Sequence, residues 1–188
     1  DVLSNNAISG LCLVLLVLAL FLKLRLALWV AVGIPISLMG TVMLFPLLGI
    51  SISTLSVMGV ILVLGILVDD AIVVGERVHA HQQMGKTPRQ AAIDGTYEVS
   101  VPVIFGVLTT MAAFMPIMFV PTNMGPFFAG IGIASLLTLF FSVIESQLIL
   151  PMHLAHSSER EKKGLAIGRW WSNVQDGFAS WLDGVANN

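Results

Sequence analysis

Residues 52–75 read ISTLSVMGVILVLGILVDDAIVVG. This apolar run is long enough to cross a bilayer as one helix, which needs about 20 residues. Two adjacent acids, Asp69 and Asp70, interrupt the run in its second half, and the apolar residues 71–75 continue past them. The stretch therefore predicts a membrane helix that carries two carboxyl groups inside its apolar part.

The composition of the whole chain is that of a membrane protein. Hydrophobic residues make up 56% of its 188 residues and charged residues 11%, whereas a soluble domain carries about 25% charge. So few charges exclude a soluble globular domain, and the high hydrophobicity excludes disorder. The net charge of −2 gives no reason to expect a nucleic-acid partner. The single cysteine, Cys12, excludes a disulfide framework and a cysteine-based zinc site.

Five continuous apolar runs have the length of membrane-spanning helices. A transmembrane barrel would instead show alternating segments of about ten residues. Prolines inside the runs are compatible with helices, because neighbouring helices can satisfy the freed backbone groups. The predicted fold class is all-α: a polytopic membrane helix bundle over residues 1–151, with spans at 6–22, 26–48, 52–75, 99–120 and 126–150 and a cytoplasmic connector at 76–98.

Residues 152–188 are predicted to form a cytoplasmic linker and a surface helix. From Leu165 onward, apolar residues recur every three or four positions, and three of the four tryptophans lie in this segment. An amphipathic helix with tryptophans is typical of the membrane interface. We expect this helix to lie flat on the cytoplasmic surface of the bilayer; the alternative is a helix that packs against a further domain.

The basic residues predict the orientation of the chain. All nine lie outside the five runs, and all fall on the same side of the predicted membrane: Lys23, Arg25, Arg77, Lys86, Arg89, Arg160, Lys162, Lys163 and Arg169. Basic loops remain on the cytoplasmic side. We therefore expect the N-terminus outside and the C-terminus in the cytoplasm.

The connector 76–98 shows the signals of a short helix. Thr87 can cap its start, Pro88 suits the first helical position, and Gln90 would complete a capping box. Gly95 is a plausible end, because glycine commonly follows the last turn of a helix. We expect a short connector helix that ends before the fourth span.

Asp69 and Asp70 are the strongest signal for chemistry. An acid near the bilayer centre costs about 2.5–3.5 kcal/mol on insertion scales. The positions one helical turn away from the pair are apolar, and none of the five runs contains Lys, Arg or His. Either a positive partner lies outside this chain or one acid holds a proton, so the two should titrate as a coupled unit. We predict a proton relay; the alternative is that both acids reach water at the cytoplasmic end.

Glu145 is a second acid within an apolar run, about six residues from the cytoplasmic end of the fifth span. Two interpretations are equally supported. It is either an interfacial acid hydrogen-bonded by Ser142 and Gln147, or part of an auxiliary proton pathway.

The remaining polar residues are predicted to be solvated. This holds for Glu76 and Glu98 at the span ends, and for four histidines whose spacing does not make a metal site: His79, His81, His153 and His156. The sequence has no phosphate-binding glycine loop, serine nucleophile elbow or HExxH motif. We therefore expect no cofactor, no metal and no enzymatic activity.

The motif GILVDDAIVVGER at residues 65–77 closely resembles the fourth transmembrane helix of the resistance-nodulation-division (RND) exporters. Residues 85–92 resemble the connector that follows it, and residues 102–110 resemble the fifth helix. Residues 145–154 resemble the end of the sixth helix in a subgroup of the hydrophobe/amphiphile-exporter branch. The resemblance implies that this chain holds the second to sixth helices of the N-terminal half.

The resemblance also implies a function. RND exporters are proton antiporters of the bacterial inner membrane, usually trimers, and Asp69 and Asp70 match the proton relay. The basic partner of the relay lies in the second half of those proteins. Drug exporters of this family work with a periplasmic adaptor and an outer-membrane channel. Their substrate pockets lie in periplasmic regions that this chain lacks, so the substrate cannot be inferred.

Three other interpretations remain open. The chain could belong to a proton-driven protein-translocation accessory or to a lipid- or sterol-sensing module of the same superfamily. It could also be an isolated fragment that does not transport. The chain begins with Asp1, and its first residues lack the positive charge with which a signal peptide starts. We therefore expect it to be a piece of a longer parent protein.

Overall fold

The computed structural model describes residues 24–121 and 124–157, and every regular element within these two ranges is helical. The predicted first span at 6–22 and the predicted surface helix after Leu165 lie outside the described residues. The α-helices are α1 (Leu24–Leu44), α2 (Thr54–Gln83), α3 (Pro88–Phe114), α4 (Gly125–Ile144) and α5 (Leu150–Ser157). Three short helices of other types complete them: 3₁₀ helices at Pro46–Leu48 and Met115–Phe119 and a π-helix at Glu145–Ile149.

Four helical segments are long and apolar enough to cross a membrane. They are Leu26–Leu48, Thr54–Gln83, Pro88–Phe119 and Gly125–His156, and they correspond to the second to fifth predicted spans. The predicted all-α membrane helix bundle is therefore confirmed for the described residues, which contain four of the five predicted spans.

The central helix of the bundle is α2, which packs against α1, α3 and α4. Its start follows from the sequence: the Ser53 hydroxyl accepts a hydrogen bond from the Ser56 amide, and the Ser56 hydroxyl accepts one from the Ser53 amide. This reciprocal capping box satisfies two backbone donors that a helix start leaves unpaired. The 30 residues of α2 span about 45 Å, which exceeds the hydrocarbon thickness of about 30 Å. The last turns of α2 therefore extend beyond the apolar layer.

Two apolar clusters hold the helices together. The larger one joins α2 to α1, α3 and α5 around Leu67, Ala71 and Val74. The smaller one joins α2, α3 and α4 through Val63, Val107 and Leu139. Both lie along the face of α2 that is turned toward the other helices, which fixes the rotation of α2 and of the two acids it carries.

The predicted helix end at Gly95 is wrong. The Thr87 hydroxyl accepts from the Gln90 amide, as expected for the start of α3, but α3 continues through Gly95 to Phe114. The Gln90 side chain donates to Asp94 and does not return to the cap. Gly95 is needed for close approach: a Cβ there would lie 2.7 Å from the Cα of Val78 on α2. Its missing side chain lets α2 and α3 touch.

Candidate functional site

Asp69 and Asp70 lie at the midpoint of α2, and the apolar residues 71–75 follow them before the next charge, Glu76. Successive residues on an α-helix point about 100° apart, so the two carboxylates face different surroundings. Asp70 is half-buried and lies toward α4, whereas Asp69 is exposed on the outer face of α2. Within residues 24–121 and 124–157, neither acid forms an ion pair.

The polar contact that the structure gives Asp70 comes from α4. The hydroxyl of Ser142, which is fully buried, donates to Asp70 Oδ2 across 3.4 Å. This separation is at the long end for a hydroxyl–carboxylate hydrogen bond, whose usual range is about 2.5–3.0 Å. The contact therefore stabilises a negative charge only weakly, and small movements of α4 against α2 can strengthen or break it.

A buried polar stripe runs along α4 and into the π-helix, on both sides of this contact. At one end of the stripe, the Ser135 hydroxyl donates to the carbonyl of Gly59 on α2 across 3.1 Å. This hydrogen bond connects α4 to α2. Thr138 donates to its own helix at Ala134 O, and Ser146 donates to Val143 O. All members are buried: Ser135, Thr138, Ser142, Glu145 and Ser146.

Sequence reasoning missed this stripe as a unit. Its members recur at three- and four-residue intervals within an apolar run, which is the spacing of one helix face. That signal could have identified the stripe, although it could not show which helix the stripe contacts.

Glu145 lies inside the protein, where it is 2% exposed. It is the first residue of the π-helix, and its Oε2 has no hydrogen-bond partner among the described residues. The predicted support from Ser142 and Gln147 is wrong, because Ser142 bonds to Asp70 and the Gln147 amide nitrogen is itself unpaired. Room for the carboxylate comes from α1, since a Cβ on Gly33 would overlap it.

A second buried polar group near Glu145, this one on α1, also has no hydrogen-bond partner among the described residues. Ser37 lies one turn after Gly33 on the same face of α1 and is 1% exposed, and its hydroxyl has no partner within the described part of the chain. Buried polar atoms without partners are uncommon in folded proteins and each needs an explanation. Here two of them, from α1 and from the π-helix, belong to the same helix–helix contact.

The charged residues beyond the apolar layer form a cluster between the end of α2 and the start of α3. Arg77 is paired with Glu98, and His81 Nε2 lies 2.8 Å from Glu98 Oε2. These hydrogen bonds, first from Arg77 and then from His81, lower the pKa of Glu98 to about 2. Lys86 bonds to Asp94 across 2.7 Å and lowers the pKa of that carboxyl too. The cluster fixes the turn between α2 and α3.

One prediction about the solvated residues is wrong. His81 is 8% exposed and lies between α2 and α3, because α2 continues past the apolar run and packs this turn against α3. Glu98 is exposed, as predicted, and its carboxylate is also paired with Arg77 and bonded to His81 Nε2. His153 stacks on Trp29 of α1, with ring centroids 4.2 Å apart. No cluster of three His, Cys, Asp or Glu that could hold a metal occurs in the described ranges.

The match to known proteins agrees with this architecture. Residues 1–181 match the model of the AcrB/AcrD/AcrF family. The chain belongs to this family. The resemblance to RND exporters, predicted from the double-aspartate motif and its neighbours, is thereby confirmed.

Individual family members show how much of such a protein this chain represents. It is 34% identical to the multidrug resistance protein MdtC of Pantoea ananatis over 98% of its own length. The identity is the same to MdtC of Escherichia coli and of Shigella flexneri, again over 98% of the chain. These alignments cover 18–19% of the relatives, so the chain spans about a fifth of the length of the proteins it matches.

Proposed function

We propose that this chain is the proton-coupling transmembrane part of a proton-driven RND multidrug exporter, a secondary transporter and not an enzyme. Asp69 and Asp70 are its proton relay. The observation that carries the proposal is the setting of Asp70: a half-buried acid at the midpoint of a membrane helix, whose described polar contact is one long hydrogen bond from Ser142.

Burial affects the two charge states of Asp70 differently. An ionised carboxylate in this position loses its hydration, and one weak hydrogen bond does not offset that loss. Protonation removes the charge and turns the carboxyl group into a donor. The two states therefore favour different contacts between α2 and α4, and a proton that binds to only one of two helix arrangements shifts the balance between them. This is how proton binding can drive a conformational step.

The positive partner of the ionised pair comes from outside this chain. Asp69 is exposed on the outer face of α2, and Gly65 lies one turn before it with open space around its Cα. Another helix can approach closely at such a small residue. We propose that the second half of the transporter packs here and brings a Lys or Arg side chain to the acid pair, as the family resemblance implies.

The location and assembly of the parent protein follow from the same resemblance. We propose a bacterial inner-membrane protein with the N-terminus of this segment in the periplasm and its C-terminus in the cytoplasm. The parent forms a homotrimer that works with a periplasmic adaptor and an outer-membrane channel. The relatives named as multidrug resistance proteins favour drug export over the protein-translocation and sterol-sensing alternatives.

The proposal is tested by resistance of cells that express the full-length transporter. Asp69→Asn and Asp70→Asn should each abolish resistance to exported drugs at unchanged protein level in the membrane, because an amide cannot carry the proton. Glu76→Gln, an exposed acid beyond the apolar run of the same helix, serves as the control and should leave resistance intact. Full resistance in both aspartate variants would overturn the proposal.

A further inference from the structure

We propose that Glu145 is a second proton-binding site, which exchanges protons with Asp70 through the hydroxyl of Ser142. The inference rests on the proposed function and extends it, because it names the route by which protons reach Asp70 from the cytoplasmic side. It is carried by contacts between α1, α2, α4 and the π-helix.

The burial of Glu145 argues against a purely structural role. Its side chain is 2% exposed, and Oε2 has no partner within residues 24–121 and 124–157. A buried charge without a partner is strongly destabilising, and a glutamine of the same shape would pack equally well. Protonation removes that cost, so a carboxyl group at this position can hold and release a proton, which an amide cannot do.

The site around Glu145 is built from small residues of α1. Gly33 leaves the space that the carboxyl group occupies. Ser37, one turn later on the same face, adds a second buried oxygen without a partner. Buried polar atoms without partners are uncommon, and a functional role is one of the explanations for them.

The helix geometry at Glu145 is itself unusual. The chain changes from α-helical to π-helical at this residue, and the amide of Leu150 bonds to the carbonyl of Glu145. Single π-helical turns are rare and occur frequently at functional sites. The wider π-helical turn directs the Glu145 side chain toward Gly33 on α1. Ser142, in the α-helical part before it, is directed toward Asp70 on α2.

Ser142 connects the two acids. It lies three residues before Glu145, and side chains at this spacing are neighbours on a helix, with Cβ atoms about 5–6 Å apart. On its other side it donates to Asp70 Oδ2. A hydroxyl can accept and donate at once, so a change of rotamer or one bridging water completes the connection.

The transfer step is balanced in protons. The Glu145 carboxylic acid gives its proton to the oxygen of Ser142, while the hydroxyl proton of Ser142 passes to the Asp70 carboxylate. Glu145 becomes the carboxylate, Asp70 becomes the acid, and Ser142 is restored as a hydroxyl after it rotates. No oxidant, metal or further reactant takes part.

Other titratable and charged groups lie on the helices that pack around Glu145. The charged residue of α1 is Arg25, near the helix start, and residues 26–44 contain none. On α5, His153 is stacked on Trp29 and His156 bonds to the Met152 carbonyl. The helix α2 also packs against the π-helix, and its Asp70 is bonded to the polar stripe through Ser142. The other titratable residues of α2 are Asp69, Glu76, Arg77, His79 and His81.

The test uses the full-length transporter, purified and reconstituted into liposomes that contain a pH-sensitive dye. Glu145→Gln should slow proton-coupled transport by about 10²-fold, the usual effect of losing a proton-transfer group, and should flatten its dependence on cytoplasmic-side pH. Glu145→Asp should restore part of the rate. A wild-type rate and pH profile in Glu145→Gln would overturn the inference.

A spectroscopic readout keeps the inference testable if the Gln variant is unstable. Infrared difference spectra between high and low pH should contain a carbonyl band of a protonated carboxylic acid that shifts in Glu145→Asp. A spectrum unchanged by this substitution would contradict the assignment. If Asp70→Asn is inactive while Glu145→Gln behaves as wild type, this inference alone fails; if Asp70→Asn is active, the proposed function fails.

Discussion

The hydroxyl of Ser142 on α4 donates to Asp70 on α2 across 3.4 Å, and this contact joins the central helix of the bundle to its buried polar stripe. Asp70 belongs to the motif that marks the family, whereas Ser142 lies 72 residues further along the chain. The contact couples the charge of one helix to the position of another.

Replacing Ser142 should impair coupling more than it impairs folding. In Ser142→Ala the Asp70 carboxylate loses its hydrogen bond and the link to Glu145, so we expect proton-coupled transport in proteoliposomes to fall about tenfold or more. Ser142→Thr keeps the hydroxyl and should retain most of the rate. Ser135→Ala removes an equally buried hydroxyl of the same stripe that bonds to Gly59 O and touches no acid. Equal loss of transport in the two alanine variants would count against the relay.

Gly33→Ala should reproduce the functional loss of Glu145→Gln with little loss of stability. The added methyl group overlaps the end of the Glu145 side chain, which can move away at small cost but then leaves its place beside α1. Gly106→Ala on α3 meets open space and is the matched control. Transport rates and thermal stability in detergent are compared for both variants, and a fully active Gly33→Ala protein would show that the position of Glu145 is unimportant.

Gly95→Ala should instead destabilise the bundle. Here the methyl group meets the backbone of Val78, which no side-chain rotation relieves, so α2 and α3 must separate at a cost of about 1–3 kcal/mol. Gly106→Ala again serves as the comparison. Both substitutions gain the helix preference of alanine over glycine, up to about 1 kcal/mol, but at Gly106 the methyl group meets open space. Thermal denaturation of the purified transporter measures the difference. A Gly95→Ala protein as stable as Gly106→Ala would contradict the close packing.

The Arg77–Glu98–His81 cluster should contribute to stability in a defined pH range. Because the hydrogen bonds from Arg77 and His81 lower the pKa of Glu98 from 4.5 to about 2, its contribution is fully present above about pH 4.5 and is lost as the pH falls toward 2. The difference in melting temperature between wild type and Glu98→Gln should therefore be present at pH 5 and shrink as the pH falls toward 2. A difference that disappears at neutral pH would show that the pairing does not hold.

The sequence predicted the helices of this protein better than their contacts. The apolar runs and the double aspartate identified the spans and the family, because both signals are local. The partner of Asp70 could not be predicted, since a serine in an apolar run does not show which helix it faces. Gly95 was mistaken for a helix end because glycine serves equally at a helix terminus and at a close helix crossing. The burial of His81 depends on α2 continuing past its apolar run, which no local pattern shows.

The most direct test of the central claim is proton movement in proteoliposomes that contain the full-length transporter. A transported drug is added, and the internal pH is followed with a dye for wild type, Asp70→Asn and the control Glu76→Gln. We expect a drug-dependent pH change in wild type and in Glu76→Gln, and none above the empty-liposome leak in Asp70→Asn. A drug-dependent pH change of wild-type size in Asp70→Asn would contradict the role of this acid as a proton carrier.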